Sequence, residues 1–487
     1  MVALNRDLAG RYDFEVCGVP VHQLRQRIRH RVAETADRAV IVTGHQPDFF
    51  HAGVWAKQVI AARLAEAVNG VAVNLVVDND APAQTAIDVP SVHHEGVRIE
   101  AINYAHWPAG AAFEDIPAAD TDAAVTLAGM VRHALGDERF AASVLPDFFD
   151  TYSVAASRWV DQVVAARRAV DDKLGIHVVD RAVSTVWCGP LMGELILNAR
   201  RFAVAYNEAL AEYRTRFDVR QPTRPLPDLG IDDERCELAM WAYRPGQARR
   251  RMFVSDTLRA LELFAGDERI ARLNVDRISD WKALCCELEQ TSPWRVRPRA
   301  LTLTLWARLF LADLFIHGIG GAKYDRITDD IIRRYFRVEP PAMACVSATL
   351  RLNLPTHQVG AEDIRIARRK IRDFEFNPHY FVSDADAGDD LGARARALAE
   401  SDRLRTEDPD NRAARRQVFH EIREINERIA AHRPQLHEEL DDDLHRLLRW
   451  NEENANARRR DFFFALHPRA ELNRLLDNLP KVHDFRG

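Results

Sequence analysis

One segment constrains the fold of this chain more than any other: residues 39–80 have the pattern of a strand, a loop, a helix and a second strand. Residues 39–42 are small or β-branched, as in a buried strand. Apolar residues then recur at helical spacing over residues 51–68, and a second apolar run follows at residues 71–77. Such a unit predicts two parallel strands joined by a right-handed helical crossover.

The fold class that follows is α/β, with a Rossmann-like parallel sheet as its core. We assign residues 1–100 to the first half of this core and residues 181–360 to the second half. Residues 101–180 are interpreted as an insertion, because prolines interrupt their short apolar patches. Residues 361–487 are charged and contain little glycine, which indicates a helical coiled-coil arm with a C-terminal tail.

The second half of the core contains several recognisable elements. Residues 236–254 are predicted to form a hairpin, because Pro and Gly occur in the middle of this segment where a type II turn requires them. We expect this hairpin to cover a sheet edge. The elements predicted are a strand over 182–187, a helix from about 191 to 213, a Pro-rich connector over 221–230, a hairpin over 236–254, a glycine-rich loop over 317–325 and a helix near 328–336.

The arm has an apolar seam that runs from Val418 to Leu447 at steps of three and four residues. Charged residues flank this seam, as in an antiparallel coiled coil, and Pro434 is expected to kink or divide it. The same seam is compatible with burial inside one chain or between two chains, so a homodimer through the arm is one reading.

Composition narrows the class of protein. The chain has 487 residues, 29% of them charged, and a formal net charge of −6, whereas a protein that coats nucleic acid needs a basic excess. No stretch approaches the roughly 20 apolar residues of a membrane span. The six cysteines show no CxxC pair, which argues against a disulfide framework. We therefore expect a cytoplasmic protein with a small-molecule substrate and neither a nucleic-acid nor a membrane partner.

The loop from Thr43 to Gly53 lies between the first strand and its helix, where ligands of open parallel sheets collect and helix N–H groups attract phosphate. His45 and His51 could donate hydrogen bonds to phosphoryl oxygens, and the glycines would let a ligand approach the backbone. The alternative is that both histidines cap the helix or occupy a polar crevice without chemistry. The candidate ligand contacts in this loop are Thr43, Gly44, His45, Gln46, His51 and Gly53.

Two further segments could complete a site. Asp78 and Asp80 follow the second strand and could hold a metal, a ribose hydroxyl or a substrate amine, although Asp is also a common turn residue. The glycine-rich segment could cradle phosphates, but it lacks the spacing of a Walker A loop, and an ordinary tight turn is the competing interpretation. Its candidate residues are His317, Gly318, Gly320, Gly321 and Lys323.

The remaining arginines and cysteines are not assigned to the site. The arginines at positions 249–251 and at 295, 297 and 299 could meet an anionic substrate, but solvated side chains are the preferred explanation. Cys188, Cys285 and Cys286 have no neighbouring histidine or glycine elbow and are interpreted as buried or incidental thiols.

With these residues identified, the chain resembles the bacillithiol-biosynthesis cysteine-adding enzymes, a family with a class I synthetase-like core. The stretch from Thr43 to Trp55 is similar to the family loop TGQQxGLFxGPLY, and its His51-Ala52-Gly53 is similar to the start of the HIGH signature. Asp78-Asn79-Asp80 loosely matches the family's EDHD-like cluster, and residues 315–324 are comparable to its YVGGPGEIAY motif. The chain departs from the family at His45, Gly321 and around Lys323.

The resemblance implies a ligase-type enzyme that uses ATP to add cysteine or another amino compound to a small sugar- or acid-derived acceptor. It implies that His45 and His51 stabilise phosphoryl charge and that Asp78 and Asp80 orient an amine or a metal. A noncatalytic nucleotide-binding or scaffolding protein, self-associating through the arm, is the alternative that Gly321 favours. The sequence leaves the metal requirement open.

Overall fold

The computed structural model describes residues 1–93, 96–154, 156–187, 189–221, 226–257, 260–274, 288 and 293–485. Cys188, Cys285, Cys286 and residues 222–225 of the predicted connector lie outside these ranges. The chain forms two compact units. Unit 1 comprises residues 1–89, 100–352 and 460–487, and unit 2 comprises residues 90–99 and 353–459. Within the described ranges, no helix is both long and apolar enough to span a bilayer.

The described strands are β1 (Glu15–Val16), β2 (Val19–Pro20), β3 (Val40–His45), β4 (Val71–Val76), β5 (Ala86–His93), β6 (Gly96–Asn103), β7 (Val179–Ala182), β8 (Cys236–Tyr243), β9 (Arg250–Thr257), β10 (Ala260–Ala265), β11 (Glu268–Asn274), β12 (Arg295–Pro298), β13 (Leu314–His317) and β14 (Met343–Cys345).

The described α-helices are α1 (Val2–Gly10), α2 (Val21–Ala33), α3 (Ala52–Ala67), α4 (Thr121–Leu135), α5 (Asp137–Ala142), α6 (Leu145–Tyr152), α7 (Trp159–Lys173), α8 (Val183–Val186), α9 (Pro190–Leu197), α10 (Ala199–Arg216), α11 (Ala300–Trp306), α12 (Ile319–Phe336), α13 (Ala361–Phe376), α14 (Asp384–Glu407), α15 (Arg412–Ala431), α16 (Leu436–Ala457) and α17 (Arg469–Asn478).

A parallel sheet organises unit 1. Its described strands lie in the order β14-β13-β3-β4-β7, and every neighbouring pair is parallel. The predicted β3–α3–β4 unit is confirmed, with Val40 opposite Val71 at the start of the register. Along β3, Val40 and Val42 face one apolar cluster while Ile41 faces another that includes Ile60 of α3. Apolar packing on both faces is what a parallel sheet requires.

The strand predicted over 182–187 is wrong. β7 ends at Ala182 and the chain turns at once into α8. The carboxylate of Asp78 accepts hydrogen bonds from both the backbone N–H and the hydroxyl of Ser184, which supplies an acceptor at the start of this short helix. The helix predicted from 191 to 213 is divided into α9 and α10 at Asn198, whose φ is −112° and ψ is 30°.

The predicted hairpin is confirmed as β8 and β9, and Gly246 has the positive φ of +72° that a type II turn needs. Our expectation that it covers a sheet edge is wrong. β8 and β9 are interior strands of a second, antiparallel sheet with the described order β11-β10-β9-β8-β12. A local sequence pattern could not predict this sheet, because β12 pairs with β8, which lies far from it in sequence.

Unit 2 is helical, except that it contains the end of β5 and the start of β6. α15 packs on α14 and also contacts α13, and α16 packs on α13. Pro434 lies between α15 and α16 and therefore divides the predicted arm. Ile425 and Ile429 of the seam are buried with Ala397 of α14.

Candidate functional site

The carboxyl ends of β13, β3 and β4 lie side by side at one edge of the parallel sheet. The chain leaves β3 through α3 toward β4, whereas it leaves β13 through α12 toward β14 on the other side. The connections therefore diverge between β3 and β13, and such a point opens a crevice where open α/β sheets bind ligands.

The loop from Thr43 to Gly53 and the segment from Asp78 to Asp80 contact each other directly at this edge. The side-chain amide of Gln46 donates to Oδ2 of Asp80. Oδ1 of Asp80 lies 2.5 Å from Nη1 of Arg249, which also donates to the backbone oxygen of Asn79 at 3.2 Å. The histidine-containing loop, the Asp-Asn-Asp corner and the hairpin arginine thus form one connected group.

Lys57 of α3 links the first segment to the third. Its Nζ donates to the backbone oxygen of Gly44 at 2.8 Å, and its side chain is buried, with 4% of the residue exposed. A Cβ built on Gly318 would lie 3.8 Å from Cδ of Lys57, so this side chain reaches the residue that follows β13. Burial lowers the pKa of Lys57 from 10.5 to about 8.

No carboxylate of a described residue lies within ion-pair distance of Lys57. A buried cation without a counter-ion is unfavourable, because the energy of removing it from water is not offset by a neighbouring charge. An anion that binds from solution next to Lys57 would therefore be stabilised by the charge of this side chain. One sequence signal could have identified this residue, since Lys57 and Gln58 are the polar residues in an otherwise apolar start of α3.

The third segment is a helix N-terminus, and the predicted glycine-rich loop is wrong. α12 begins at Ile319, so Gly320, Gly321 and Lys323 belong to its first turns. Ala322 N makes the first intrahelical bond, to Gly318 O at 2.9 Å, and no side chain caps the helix. The earlier N–H groups of the first turn are thus available to an anion, which the helix dipole also attracts.

The glycines of this helix have different reasons to be glycine. A Cβ on Gly321 would lie 2.8 Å from Nδ1 of His317, so Gly321 allows the histidine to pack beneath the helix. A Cβ on Gly320 would meet nothing within 4 Å. Gly320 and Lys323 are exposed in the first turns of α12.

His45 is neutral and presents a lone pair. Its Nδ1 lies 3.1 Å from the backbone oxygen of Gln46, which only accepts hydrogen bonds, so Nδ1 carries the proton. Burial, and then the charge of Lys57, lower the pKa of His45 to about 4. Neutral His45 therefore has an acceptor at Nε2, and the donor role that we expected for it toward a phosphoryl group is not available in this tautomer.

His51 has the opposite tautomer. Its Nδ1 accepts from Gly53 N at 3.0 Å and caps α3, so the neutral ring carries its proton at Nε2 and can donate there. Burial, and then Arg460, lower the pKa of His51. Gly53 is needed for packing, since a Cβ would lie 2.6 Å from the backbone oxygen of Ala348. Capping and a donor role coexist in this residue.

Thr43 and Gly44 join strands to each other. The hydroxyl of Thr43 is fully buried and donates to Ile316 O at 3.0 Å on β13. A Cβ on Gly44 would lie 3.0 Å from Leu75 O on β4, so the close approach that Gly44 permits is to a strand. These contacts set the geometry of the edge.

Asp78 and His317 are also engaged internally. Both carboxylate oxygens of Asp78 accept from Ser184, and burial raises the pKa of Asp78 from 3.8 to about 6. Nε2 of His317 lies 2.9 Å from Oδ2 of Asp325, which also pairs with Arg308 at 2.7 Å. Both side chains are thus held by partners within the protein.

A buried ion network that sequence analysis missed supports the Asp-Asn-Asp corner. Arg297 binds Glu114 through two contacts of 3.1 Å, and Tyr243 donates to the same carboxylate. The backbone N–H of Glu114 donates to Asp78 O at 2.8 Å. Our interpretation of Arg297 as a solvated side chain is wrong, because it is 8% exposed. Glu114 was invisible because its partner lies 183 positions away.

In the described part of the chain, no three or more His, Cys, Asp or Glu side chains are grouped so as to hold a metal ion. No known family model matches this chain, and no curated protein is significantly similar to it.

Proposed function

We propose that this chain binds the phosphate groups of ATP or a related nucleotide in the crevice between β3 and β13. The observation that carries the proposal is Lys57, a buried ammonium group with no carboxylate partner among the described residues, next to the uncapped start of α12. A phosphate there would supply the missing counter-charge to Lys57 and accept from the free N–H groups. The donor Nε2–H of His51 and the exposed Lys323 lie on segments of the same edge.

The proposed reaction is a ligation of the type that the sequence resemblance implies. An amino compound, cysteine in the resembled family, forms a C–N bond to a small sugar- or acid-derived acceptor. The acceptor oxygen leaves on the phosphate that ATP releases, and the amine gives up a proton. His45 supports this chemistry from the amine side, because its Nε2 is an unprotonated acceptor.

We propose further that the parallel sheet forms a Rossmann-like core. A Rossmann-like reading of the core is supported by the divergence of the connections on either side of β3. A cytoplasmic location and a small-molecule substrate are part of the proposal as well.

Calorimetric titration of the full chain with ATP tests the phosphate site. Lys57→Gln removes the charge and should weaken ATP binding at least about tenfold, because a buried charge contact to a ligand contributes about 2–5 kcal/mol. Lys370→Gln is the matched control, since Lys370 is exposed on α13, and it should leave the affinity unchanged. Equal affinities for wild type and Lys57→Gln would refute the site.

A second variant separates donation from capping at His51. Asn caps helices well, so His51→Asn keeps the cap of α3 and removes the Nε2–H donor. We expect weaker ATP binding with an unchanged melting temperature. Catalysis is tested separately by incubating the protein with ATP, cysteine and a pool of thiol precursors, and by searching for a new adduct by mass spectrometry.

A noncatalytic protein that self-associates through unit 2, as a coiled-coil arm would, is the second candidate. Phe376 and Phe419 are 56% and 59% exposed and line a groove of this helical unit. Exposed aromatic side chains of this kind mark association surfaces. Sedimentation of the wild type and of Phe419→Ser decides it: a dimer that the substitution dissociates, with no ligation product, would favour this candidate.

A further inference from the structure

A groove with a volume of about 610 Å³ lies among the helices of unit 2. The end of α13, one face of α15 and the start of α16 form it. Most of its floor and walls are apolar side chains, namely those of Phe374, Phe376, Phe419, Ile422, Ala430 and Pro434. A groove of this size is large enough to take up apolar side chains of another molecule.

Buried hydrogen bonds fix the end of α13 against α15. The side-chain amide of Asn426 donates to Phe376 O at 2.8 Å, and its Oδ1 accepts from Arg394 Nε at 2.7 Å. The ring of Phe374 is buried and stacks on that of His437, with 6.1 Å between the ring centroids. The backbone of Phe376 is thus held in place while its ring stays exposed, so the groove is formed before any partner binds.

Arginines of α13 lie next to the exposed ring of Phe376. A second hollow, of about 710 Å³, shares Phe376 with the groove and is lined by Arg368, Arg369 and Arg372. Arg369 lies 3.5 Å from Asp373, but no carboxylate of a described residue lies within ion-pair distance of Arg368 or Arg372. These exposed guanidinium groups give the hollow a positive charge that the described chain does not balance.

The charges on the groove itself are balanced in number. Arg423 lies 3.4 Å from Glu427 along α15, and Glu375 and Arg433 are the other two charged residues of opposite sign that line the groove. The positive excess of the surface therefore comes from α13, at one side of the apolar groove.

An apolar groove between helices with a positively charged margin matches an amphipathic helix that has acidic residues beside its apolar face. The apolar face would cover Phe376 and Phe419, and the carboxylates would meet the arginines of α13. Nucleic acid is a poorer match, because the formal net charge of −6 on the chain repels a long polyanion, whereas a short helix depends on the local charge.

We propose that this surface of unit 2 docks an acidic amphipathic helix of another protein. Apolar residues on one face of that helix enter the groove, and its acidic residues pair with Arg368 and Arg372. This docking surface goes beyond the proposed function, because the residues of the phosphate site all belong to unit 1.

Fluorescence anisotropy on the full chain, with three labelled peptides of about 15 residues, tests both parts of the match. The first peptide has leucine on one helical face and glutamate elsewhere, the second has lysine in place of glutamate, and the third has alanine in place of leucine. We expect the first to bind at least about tenfold more tightly than either of the others, because only it satisfies both the groove and the arginines. No binding of the first peptide, or equal affinity for it and for either of the others, would overturn the proposal.

Substitutions at exposed positions test the residues without disturbing the core. Phe419→Ser should weaken binding of the first peptide at least about tenfold, whereas Leu398→Ser, at an exposed site on α14 outside the groove, should leave it unchanged. Arg372→Gln should weaken it about two- to fivefold, and Arg396→Gln on α14 is its matched control. Wild-type affinity in both Phe419→Ser and Arg372→Gln would refute the assignment.

The same variants separate other occupants of the groove. A dimer in sedimentation that Phe419→Ser dissociates would assign the groove to a second copy of this chain and overturn the proposal. A labelled single-stranded oligonucleotide that binds more tightly than the first peptide, and loses affinity in Phe419→Ser, would overturn it in favour of nucleic acid. ATP affinity should be unchanged in all four variants, so failure of the phosphate site and failure of the docking surface are distinguishable.

Discussion

Replacing Lys57 by Gln should stabilise the ligand-free protein at neutral pH. The pKa of Lys57 falls from 10.5 to about 8 on folding, which corresponds to about 3 kcal/mol of unfavourable free energy for holding the charge. The substitution also weakens the hydrogen bond to Gly44 O, and such a bond contributes about 1 kcal/mol. The net expectation is a gain of about 1–2 kcal/mol in the free energy of unfolding.

The pH dependence of this effect has a definite sign. Because the pKa of Lys57 is lower in the folded state, the unfolded chain binds more protons between about pH 8 and 10.5, and the wild type should gain stability as the pH rises through that window. Below about pH 8 the folded protein carries the full penalty. Lys57→Gln should lose this contribution.

Urea denaturation followed by tryptophan fluorescence, at pH 7 and at the alkaline end of that window, measures both quantities. Lys370→Gln, at an exposed position, is the control and should behave as wild type. A loss of more than about 1 kcal/mol in Lys57→Gln at pH 7 would mean that Lys57 stabilises the fold through ordinary hydrogen bonding. The reasoning about an unbalanced buried charge would then be wrong.

Two matched comparisons test the packing around the site by denaturation. Gly320→Ala should stabilise by about 0.5–1 kcal/mol, because the added methyl group meets open space in a helix, whereas Gly321→Ala should destabilise by about 1–3 kcal/mol, because it presses on His317; similar effects for both would refute this account. Arg297→Met should cost about 3–5 kcal/mol, because it leaves the carboxylate of Glu114 buried without its cation, and a change below about 1 kcal/mol would contradict the buried pair.

Local periodicity was sufficient to predict the β3–α3–β4 unit and the β8–β9 hairpin. Alternation between the two faces of β3 and helical spacing along α3 are properties of contiguous residues. It was insufficient for the start of α12, because Gly320 and Gly321 have low helix propensity although they lie in the first turn of that helix. The antiparallel sheet was missed for a different reason, since β12 pairs with a strand far away in sequence.

The candidate site was predicted in position more than in chemistry. The three segments lie at one sheet edge because parallel strands share that edge. The sequence could not show that Asp78 turns inward to Ser184, or that hydrogen bonds fix opposite tautomers in His45 and His51. Nor could it distinguish Lys57 from a lysine that reaches solvent, because burial depends on neighbours brought together by the fold.

The proposed function depends on phosphate binding beside Lys57 at the carboxyl edge of the parallel sheet. A crystal structure of the protein with a non-hydrolysable ATP analogue measures this directly. We expect a phosphate oxygen within hydrogen-bond distance of Lys57 Nζ and of the first N–H groups of α12. A nucleotide bound elsewhere, with Lys57 still contacting only Gly44, would contradict the account.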